Sequence, residues 1–186
     1  MTSIRQFLKT FYEWAKTLAL VLLVAFLVRY FVLQPFVVEG SSMEPTLHSK
    51  QYVLVDKLNY RVRPPKRGEI IVFRFPGSPS LNYIKRIVGL PGETVEIKSG
   101  RVYINNNLLT EPYLNGNKTL ISENLTTNFQ KTIEPNEYFV LGDNRSHSSD
   151  SREWGVFPQT NIIGRAFLSV YPFDMAGLIA VPSYAF

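Results

Sequence analysis

An uninterrupted apolar run dominates the first forty residues. Residues 17–28 read TLALVLLVAFLV, and the segment 17–38 holds 22 residues with one charge, Arg29. As a helix this segment spans about 33 Å, which is enough to cross a bilayer. Pro35 predicts the end of the helix, because proline removes a main-chain donor and clashes with the preceding turn. The pattern therefore predicts a transmembrane anchor over residues 17–38.

Two other structures share this pattern, namely a buried core helix and a cleavable secretory signal with basic residues before its apolar run. No small-x-small cleavage site follows, since the chain continues YFVLQPFVV, and this favours an uncleaved anchor. Arg5, Lys9 and Lys16 precede the run, and positive charge is retained on the cytoplasmic side. We therefore expect a single-pass protein with residues 1–16 in the cytoplasm and residues 39–186 outside it.

Beyond residue 50 the pattern changes to short β-branched or aromatic stretches bounded by Gly, Pro or Asn, which is typical of strands. Ser99-Gly100 predicts a tight hairpin between two of them. Residues 106–137 are polar and Asn-rich, and they predict a flap or a small excursion from the sheet. The predicted strands are 52–56, 69–75, 83–89, 94–98, 101–105, 138–142 and 162–171. The expected fold class is mainly β with one N-terminal transmembrane helix.

The last apolar run, FLSVYPFDMAGLIAVPSYAF, is too broken to form a second transmembrane helix. Pro172, Asp174, Gly177 and Pro182 interrupt it. The pattern instead predicts a final strand, followed by a tail that packs on the domain or rests at the membrane surface.

Composition narrows the possible chemistry. A net charge of +5 with 45% hydrophobic and 19% charged residues is ordinary for a folded protein. No dense basic run interleaved with aromatics indicates nucleic-acid binding. The absence of cysteine excludes disulfides, thiolate catalysis and Cys-type zinc sites. The two histidines, His48 and His147, lie far apart in the sequence, so we expect neither a metal nor another cofactor.

GSSMEPTL, residues 40–47, follows the anchor and contains two adjacent serines. A serine hydroxyl is a weak nucleophile until a neighbouring base removes its proton. A Ser-His-Asp arrangement is one solution, with His48 nearby and with His147 close to Asp143 and Asp150 in the sequence. A second solution is a lysine that apolar surroundings keep neutral.

YIKRIVGLPGE, residues 83–93, contains such a lysine. In a strand, Tyr83, Lys85 and Ile87 share one face, and burial among them would lower the lysine pKa. A base that acts at neutral pH needs a pKa near about 7–8, against about 10.4 in water. Periodicity alone favours an ordinary lysine that reaches solvent, with Arg86 as its solvated neighbour.

GDNRSHSSDSREWG, residues 142–155, is the third unusual stretch. From its residues alone it is either a polar turn fixed by Asp–Arg pairs or a scaffold that orients a base. Together with GSSMEPTL, RGEIIVFRFP and YIKRIVGLPGE, in this order behind an apolar anchor, it resembles the type I signal peptidases, or leader peptidases. The resemblance runs from about residue 15 to residue 170 and is weakest over 106–135.

The resemblance implies a role for specific residues in a signal-peptidase-like, β-rich catalytic domain. Ser42, the serine immediately before Met, would be the nucleophile, and Lys85 would be the general base. Ser148 would hydrogen-bond and orient that lysine. Asp150 and Arg152 would form a supporting ion pair. The family fold also has a partly apolar face that lies on the membrane.

The same comparison implies an oxyanion site built from the main chain. The N–H of Ser42 would bind the oxyanion, and Gly40 would allow close backbone approach. Some members carry a Ser or Thr at the position of Gly40, whose side chain is a second donor. Ser146 and His147 replace an acidic residue and an amide. Three residues match structural positions of this box, namely Asp143, Asn144 and Arg145.

The implied activity is that of a membrane-anchored serine endopeptidase that removes N-terminal signal peptides from translocated preproteins. Its partners would be secretory preproteins with Ala-x-Ala cleavage sites and the lipid bilayer, without nucleic acid, and no pattern specifies an oligomeric state. The short stretch between Lys85 and Gly142 predicts a compact catalytic domain. Three rival functions remain: a tethered binding module without chemistry, a self-cleaving repressor-type Ser/Lys peptidase, which would need N-terminal DNA-binding helices, and a His-dependent serine protease.

Overall fold

The computed structural model describes residues 2–114 and 129–184. Its N-terminal element is one long helix, α1 (Thr2–Phe31). Within α1 the segment Ile4–Arg29 is long and apolar enough to cross a membrane, and none of this segment is buried against the rest of the chain. The uninterrupted apolar run 17–28 within it has no protein packed around it, which suits a lipid environment.

The helix ends earlier than predicted. Leu33–Val37 forms strand β1, which pairs antiparallel with Tyr52–Asp56, and Pro35 lies opposite Leu54. The proline is tolerated because β1 is the outermost strand of its sheet, where one missing N–H breaks few hydrogen bonds. The segment predicted as an anchor over 17–38 is thus helical only as far as Phe31, and its last part is an edge strand.

The remaining described residues include twelve strands, two short α-helices and four single-turn 3-10 helices. The α-helices are α2 (Asn59–Val62) and α3 (Ser151–Trp154). The strands are β1 (Leu33–Val37), β2 (Tyr52–Asp56), β3 (Ile70–Phe75), β4 (Ser78–Gly89), β5 (Thr94–Lys98), β6 (Arg101–Ile104), β7 (Asn107–Leu108), β8 (Phe129–Thr132), β9 (Glu137–Leu141), β10 (Phe157–Pro158), β11 (Ile162–Tyr171) and β12 (Gly177–Leu178).

These strands build two antiparallel sheets. The larger has the order β1-β2-β11-β3-β4-β9-β10, with β12 beside β11, and the smaller has the order β7-β6-β5-β8. All seven predicted strands are present within a few residues of their expected bounds. The predicted mainly β fold is therefore confirmed.

The smaller sheet explains the polar stretch 106–137. Strands β7 and β8 lie within this stretch and form the two edges of the smaller sheet, and residues 115–128 lie outside the described part of the chain. The β5–β6 hairpin turns at Ser99 and Gly100, as predicted, and both have positive φ, of 49° and 74°. Two positive φ angles are typical of a type I′ hairpin turn.

A buried cluster fixes the loop that carries the candidate nucleophile. Met43 and Leu47 are each 1% exposed and pack with residues from β2, β3 and β11. Ile179 from the C-terminal tail joins the same cluster, and Tyr184 packs against another. The tail therefore packs on the domain, which is one of the two placements expected for it.

Gly164 marks a close approach between β11 and β2. A β-carbon at this position would lie 2.3 Å from the main-chain oxygen of Asp56 and 2.8 Å from Cγ1 of Val55. The oxygen cannot move aside without disturbing the strand pair, so we expect Gly164→Ala to lower the free energy of unfolding by about 3 kcal/mol. Denaturation of the detergent-solubilised full chain measures this.

Gly177→Ala is the matched control, because a β-carbon there meets nothing within 4 Å. We expect it to change stability by less than about 0.5 kcal/mol. An equal loss of stability in both variants would contradict the close approach at Gly164.

Candidate active site

Ser42 lies in the loop between β1 and β2. Gly40, two residues earlier, has a φ of +84°, a backbone conformation that side chains disfavour. After Ser42, the Leu47 N–H donates to the Met43 carbonyl at 2.9 Å, and both side chains are buried. The loop is therefore anchored on one side of the serine and turned sharply on the other.

Lys85 lies in β4, opposite Ile71 of β3, and is 5% exposed. Its Nζ is 2.7 Å from Ser42 Oγ and 5.3 Å from the centre of the Tyr83 ring. The strand thus places an amine on the serine hydroxyl, with an aromatic ring covering it. The fold therefore brings the predicted nucleophile, Ser42, and the predicted base, Lys85, into direct contact.

Burial controls the ionisation of this amine. The pKa of Lys85 is lowered from the ordinary value of 10.5 to about 8, chiefly by burial and to a smaller extent by the nearby charge of Arg152. The carboxylates of Asp150 and Asp143 act in the opposite direction and favour the charged form. With a pKa of about 8, roughly a tenth of the amine is neutral at pH 7 and half at pH 8.

Arg86 is not solvated, and the sequence-based expectation for it was wrong. It is 1% exposed, and its guanidinium binds both carboxylate oxygens of Asp143, at 2.8 and 2.6 Å. It also donates to the Gly68 carbonyl at 2.8 Å and lies 4.1 Å from the centre of the Tyr113 ring. Strand β4 is internal to the sheet and its second half is covered on both faces, so alternation does not bring Arg86 to water.

Residues 142–155 form a network of buried charges. Asp150 binds Arg152 at 2.7 and 2.8 Å and accepts a hydrogen bond from the Gly142 N–H at 3.0 Å. The ion pair implied by the resemblance is therefore present, while its supporting role remains a prediction. Arg145 is also buried and pairs with Glu111 at 2.5 Å.

Glu111 and Tyr113 are partners of this network that sequence reasoning missed. Both come from the polar stretch after β7, and the centre of the Tyr113 ring lies 4.1 Å from the guanidinium carbon of Arg86 and 6.0 Å from that of Arg145. No motif or periodicity marks them in the sequence. Their role depends on a tertiary contact between the two sheets, which single-sequence patterns do not encode.

Ser148 does not hydrogen-bond Lys85 in this structure. Its hydroxyl is buried and has no hydrogen-bond partner among the described residues. A β-carbon on Gly142 would lie 2.2 Å from Ser148 Oγ, so the hydroxyl packs against that glycine, while the lysine amine faces Ser42. The expected hydrogen bond between Ser148 and Lys85 is therefore not formed, and an orienting role for Ser148 stays a prediction.

The two histidines do not hydrogen-bond Ser42 in the described part of the chain. The His48 side chain is 45% exposed and lies 3.6 Å from Glu44. His147 contacts Ser146 and Asn144 through Nδ1. The described residues also contain no group of three or more His, Asp or Glu side chains placed to hold a metal ion. The geometry thus favours a lysine over a histidine as the base.

A cavity of about 670 Å³ borders the Ser42–Lys85 pair. Main-chain and side-chain atoms of β1, its following loop and β4 line it, and its apolar walls include Val38, Val53 and Ile84. Such a cavity beside an edge strand suits an extended peptide with small apolar side chains.

Comparisons with known proteins find relatives of one family. The family model described as signal peptidase, peptidase S26, matches residues 11–171. Signal peptidase I S of Bacillus subtilis is 40% identical over 172 residues, covering 89% of this chain and 92% of the relative. Signal peptidase I of Pseudomonas aeruginosa is 36% identical over 200 residues, covering 83% and 70%. A crystal structure of a signal peptidase I from Enterococcus faecalis aligns with a TM-score of 0.48 and 38% identity, covering 55% of this chain and 97% of that one.

Proposed function

The chain belongs to the signal peptidase family, peptidase S26, and on that premise we propose that it is a membrane-anchored Ser/Lys endopeptidase that removes signal peptides from secretory preproteins. The observation that carries the mechanism is the 2.7 Å contact between Lys85 Nζ and Ser42 Oγ in a partly buried site. A neutral amine at this distance accepts the proton of the hydroxyl as the oxygen attacks the scissile carbonyl.

The same lysine serves both halves of the reaction. Once protonated, it donates its proton to the leaving amine, and an acyl-enzyme forms on Ser42. The lysine then activates the water that hydrolyses the ester. The oxyanion lies against the Ser42 N–H, which makes no hydrogen bond to another described residue. A β-carbon at Gly40 would meet nothing within 4 Å, so the space around that glycine is open. Preorganised main-chain donors supply a large share of catalysis in sites of this kind.

The cavity supports selection of Ala-x-Ala before the cut. Its walls near the serine are formed by β-branched side chains, among them Val38, Val53 and Ile84. Apolar walls of this kind suit the small apolar side chains of an Ala-x-Ala site. Strand β1 is the edge of the sheet, so its main chain is placed to pair with an extended substrate.

The anchor places this site beside the bilayer. Strand β1 begins two residues after the helix ends at Phe31, so the domain follows the membrane segment almost directly. Tyr52, Tyr171 and Phe173 form a chain of exposed ring contacts that supports a membrane-facing surface. With its N-terminus in the cytoplasm, the enzyme shares one bilayer with its translocated substrates, which raises their effective concentration.

Cleavage of a purified preprotein in vesicles tests this function. We expect the full-length chain, reconstituted in phospholipid vesicles, to cut once, directly after the second alanine of an Ala-x-Ala site, as read by mass spectrometry. Replacing that alanine by phenylalanine should abolish the cut. A preprotein that binds without being cleaved would instead identify a binding module.

His48→Ala and His147→Ala should keep substantial activity, and loss of activity in either variant would favour a histidine base.

A further inference from the structure

One residue, Asn144, holds both peptide units that flank the nucleophile. Its main-chain N–H donates to the Ser42 carbonyl at 3.0 Å. Its side-chain Nδ2 donates to the Ser41 carbonyl at 3.1 Å. The first carbonyl belongs to the peptide unit after the Ser42 α-carbon, and the second belongs to the unit before it. Asn144 therefore restrains the main-chain torsion angles of Ser42 from both sides.

The side-chain contact also sets the direction of the oxyanion donor. The Ser41 carbonyl and the Ser42 N–H belong to one trans peptide unit, in which the two groups point in opposite directions. A donor that holds the carbonyl on one side thereby aims the N–H to the other side. The Glu44 N–H contacts the same carbonyl at 3.1 Å from within the loop, whereas Asn144 holds it from a separate segment.

We propose that Asn144 is a positioning residue that aims the Ser42 N–H at the oxyanion. The inference rests on the Ser/Lys mechanism proposed above. It matters more in this chain than in family members with a side-chain donor at the position of Gly40, because here the main-chain N–H acts without that second donor.

The amide of Asn144 is itself supported by two neighbours. Ser146 Oγ donates to Asn144 Oδ1 at 3.3 Å, and His147 Nδ1 lies 3.3 Å from the same oxygen. The His147 main-chain N–H donates to the Asn144 carbonyl at 3.0 Å. Ser146 and His147 are the two positions where residues 142–155 depart from the corresponding family motif. These two residues contact Asn144 Oδ1 and so orient the Asn144 side-chain amide with its nitrogen toward the Ser41 carbonyl.

Asn144 is also linked to the base by a short path. Lys85 precedes Arg86, which binds both carboxylate oxygens of Asp143 in the buried ion pair described above. Asp143 in turn precedes Asn144. One ion pair and two peptide bonds thus connect the lysine strand to the residue that holds the serine loop. Base, nucleophile and oxyanion donor are therefore positioned by a single continuous unit.

Asn144→Asp tests the proposal, because it keeps the shape and the main-chain N–H but has no side-chain donor for the Ser41 carbonyl. We expect kcat for preprotein cleavage to fall about 10- to 100-fold, with KM within about 3-fold of the unmodified enzyme. Asn144→Ala, a second variant, should show the same pattern. Asn107→Ala is the matched control, since its amide also donates to a main-chain carbonyl, that of Asn105, in the smaller sheet.

Two inhibitors separate positioning from substrate binding. A peptide aldehyde adds Ser42 Oγ to its carbonyl carbon and places the resulting oxygen at the oxyanion position. The same peptide ending in a primary amide forms no such adduct. We expect Asn144→Asp to weaken aldehyde binding by the same factor as kcat, and to leave binding of the amide unchanged.

Either of two results would overturn the proposal. One is a kcat within 2-fold of the unmodified enzyme in both variants. The other is equal weakening of the two inhibitors, which a disturbed fold would also produce. Failure of the Ser/Lys mechanism itself has a different signature, because the unmodified enzyme would then bind the aldehyde no more tightly than the amide.

Discussion

Ser42→Ala should reduce preprotein cleavage by a factor of about 10⁴ or more while leaving the fold intact. The substitution removes the oxygen that lies 2.7 Å from the lysine amine, and with it the group that would attack the scissile carbonyl. Met43 and Leu47, whose buried side chains anchor the loop, are unchanged, so the loop should keep its conformation. Initial rates on a purified preprotein measure the loss, and the thermal unfolding midpoint verifies the fold.

Ser49→Ala is the matched control for this experiment. Ser49 lies in the same loop but is exposed, and we expect its substitution to change the rate by less than about 2-fold. Residual cleavage by Ser42→Ala within about 100-fold of the unmodified enzyme would mean that another residue carries the acyl group, and the proposed mechanism would be wrong.

Lys85→Met should abolish cleavage to a similar extent and also stabilise the fold near pH 7. Methionine fills the same buried space without a base, so Ser42 keeps its proton. The stability gain arises because the folded protein at pH 7 carries a buried ammonium group. A pKa lowered from 10.5 to about 8 corresponds to about 3 kcal/mol, from which the lost hydrogen bond to Ser42 subtracts about 1 kcal/mol.

The pH dependence gives this prediction a second check. Between about pH 8 and 10.5 the unfolded chain holds a proton on Lys85 that the folded chain has released, so the stability of the unmodified protein rises with pH through this window. Below pH 8 the Lys85 amine is charged in the folded protein, and burying this charge lowers the free energy of unfolding by its full amount. The stability advantage of Lys85→Met should therefore be constant below about pH 7 and should vanish above about pH 10.5.

Lys131→Met is the matched control, because Lys131 is an exposed lysine on a strand of the smaller sheet. We expect it to change neither cleavage nor the pH dependence of stability. Full activity in Lys85→Met would contradict the role of Lys85 as base. Lys85→Arg, which keeps a permanent charge, should be inactive and less stable than the unmodified protein.

The larger sheet was predictable because the local sequence of most of its strands, rich in β-branched and aromatic residues, is typical of strands. The run 162–171 has the β-branched and aromatic residues of a strand, and β11 occupies the same ten positions. Pro35 was misleading, because the same residue that ends helices is also tolerated in an edge strand. The short strands β7, β10 and β12 have two residues each, too few for any periodicity.

Site residues that belong to local sequence motifs could be predicted, whereas those that depend on contacts between distant parts of the chain could not. The motif around Ser42 and the motif around Lys85 are local, and the fold brings them into contact. Arg86 was mispredicted because its burial depends on strands on both sides of β4 and on Tyr113 from the segment that follows β7. The role inferred for Asn144 depends on two carbonyls more than 100 positions earlier in the chain, and sequence pattern gives no sign of such a contact.

The ionisation of one amine tests the account most directly. An NMR pH titration of the isotope-labelled Lys85 side chain, assigned by its loss in Lys85→Met, reports the pKa of that group in the folded full-length enzyme. The account predicts a midpoint near 8, matched by a rise of kcat/KM with pH through the same value. A midpoint near 10.5, with activity already at its maximum at pH 7, would mean that the lysine stays charged while the enzyme works and would contradict the mechanism.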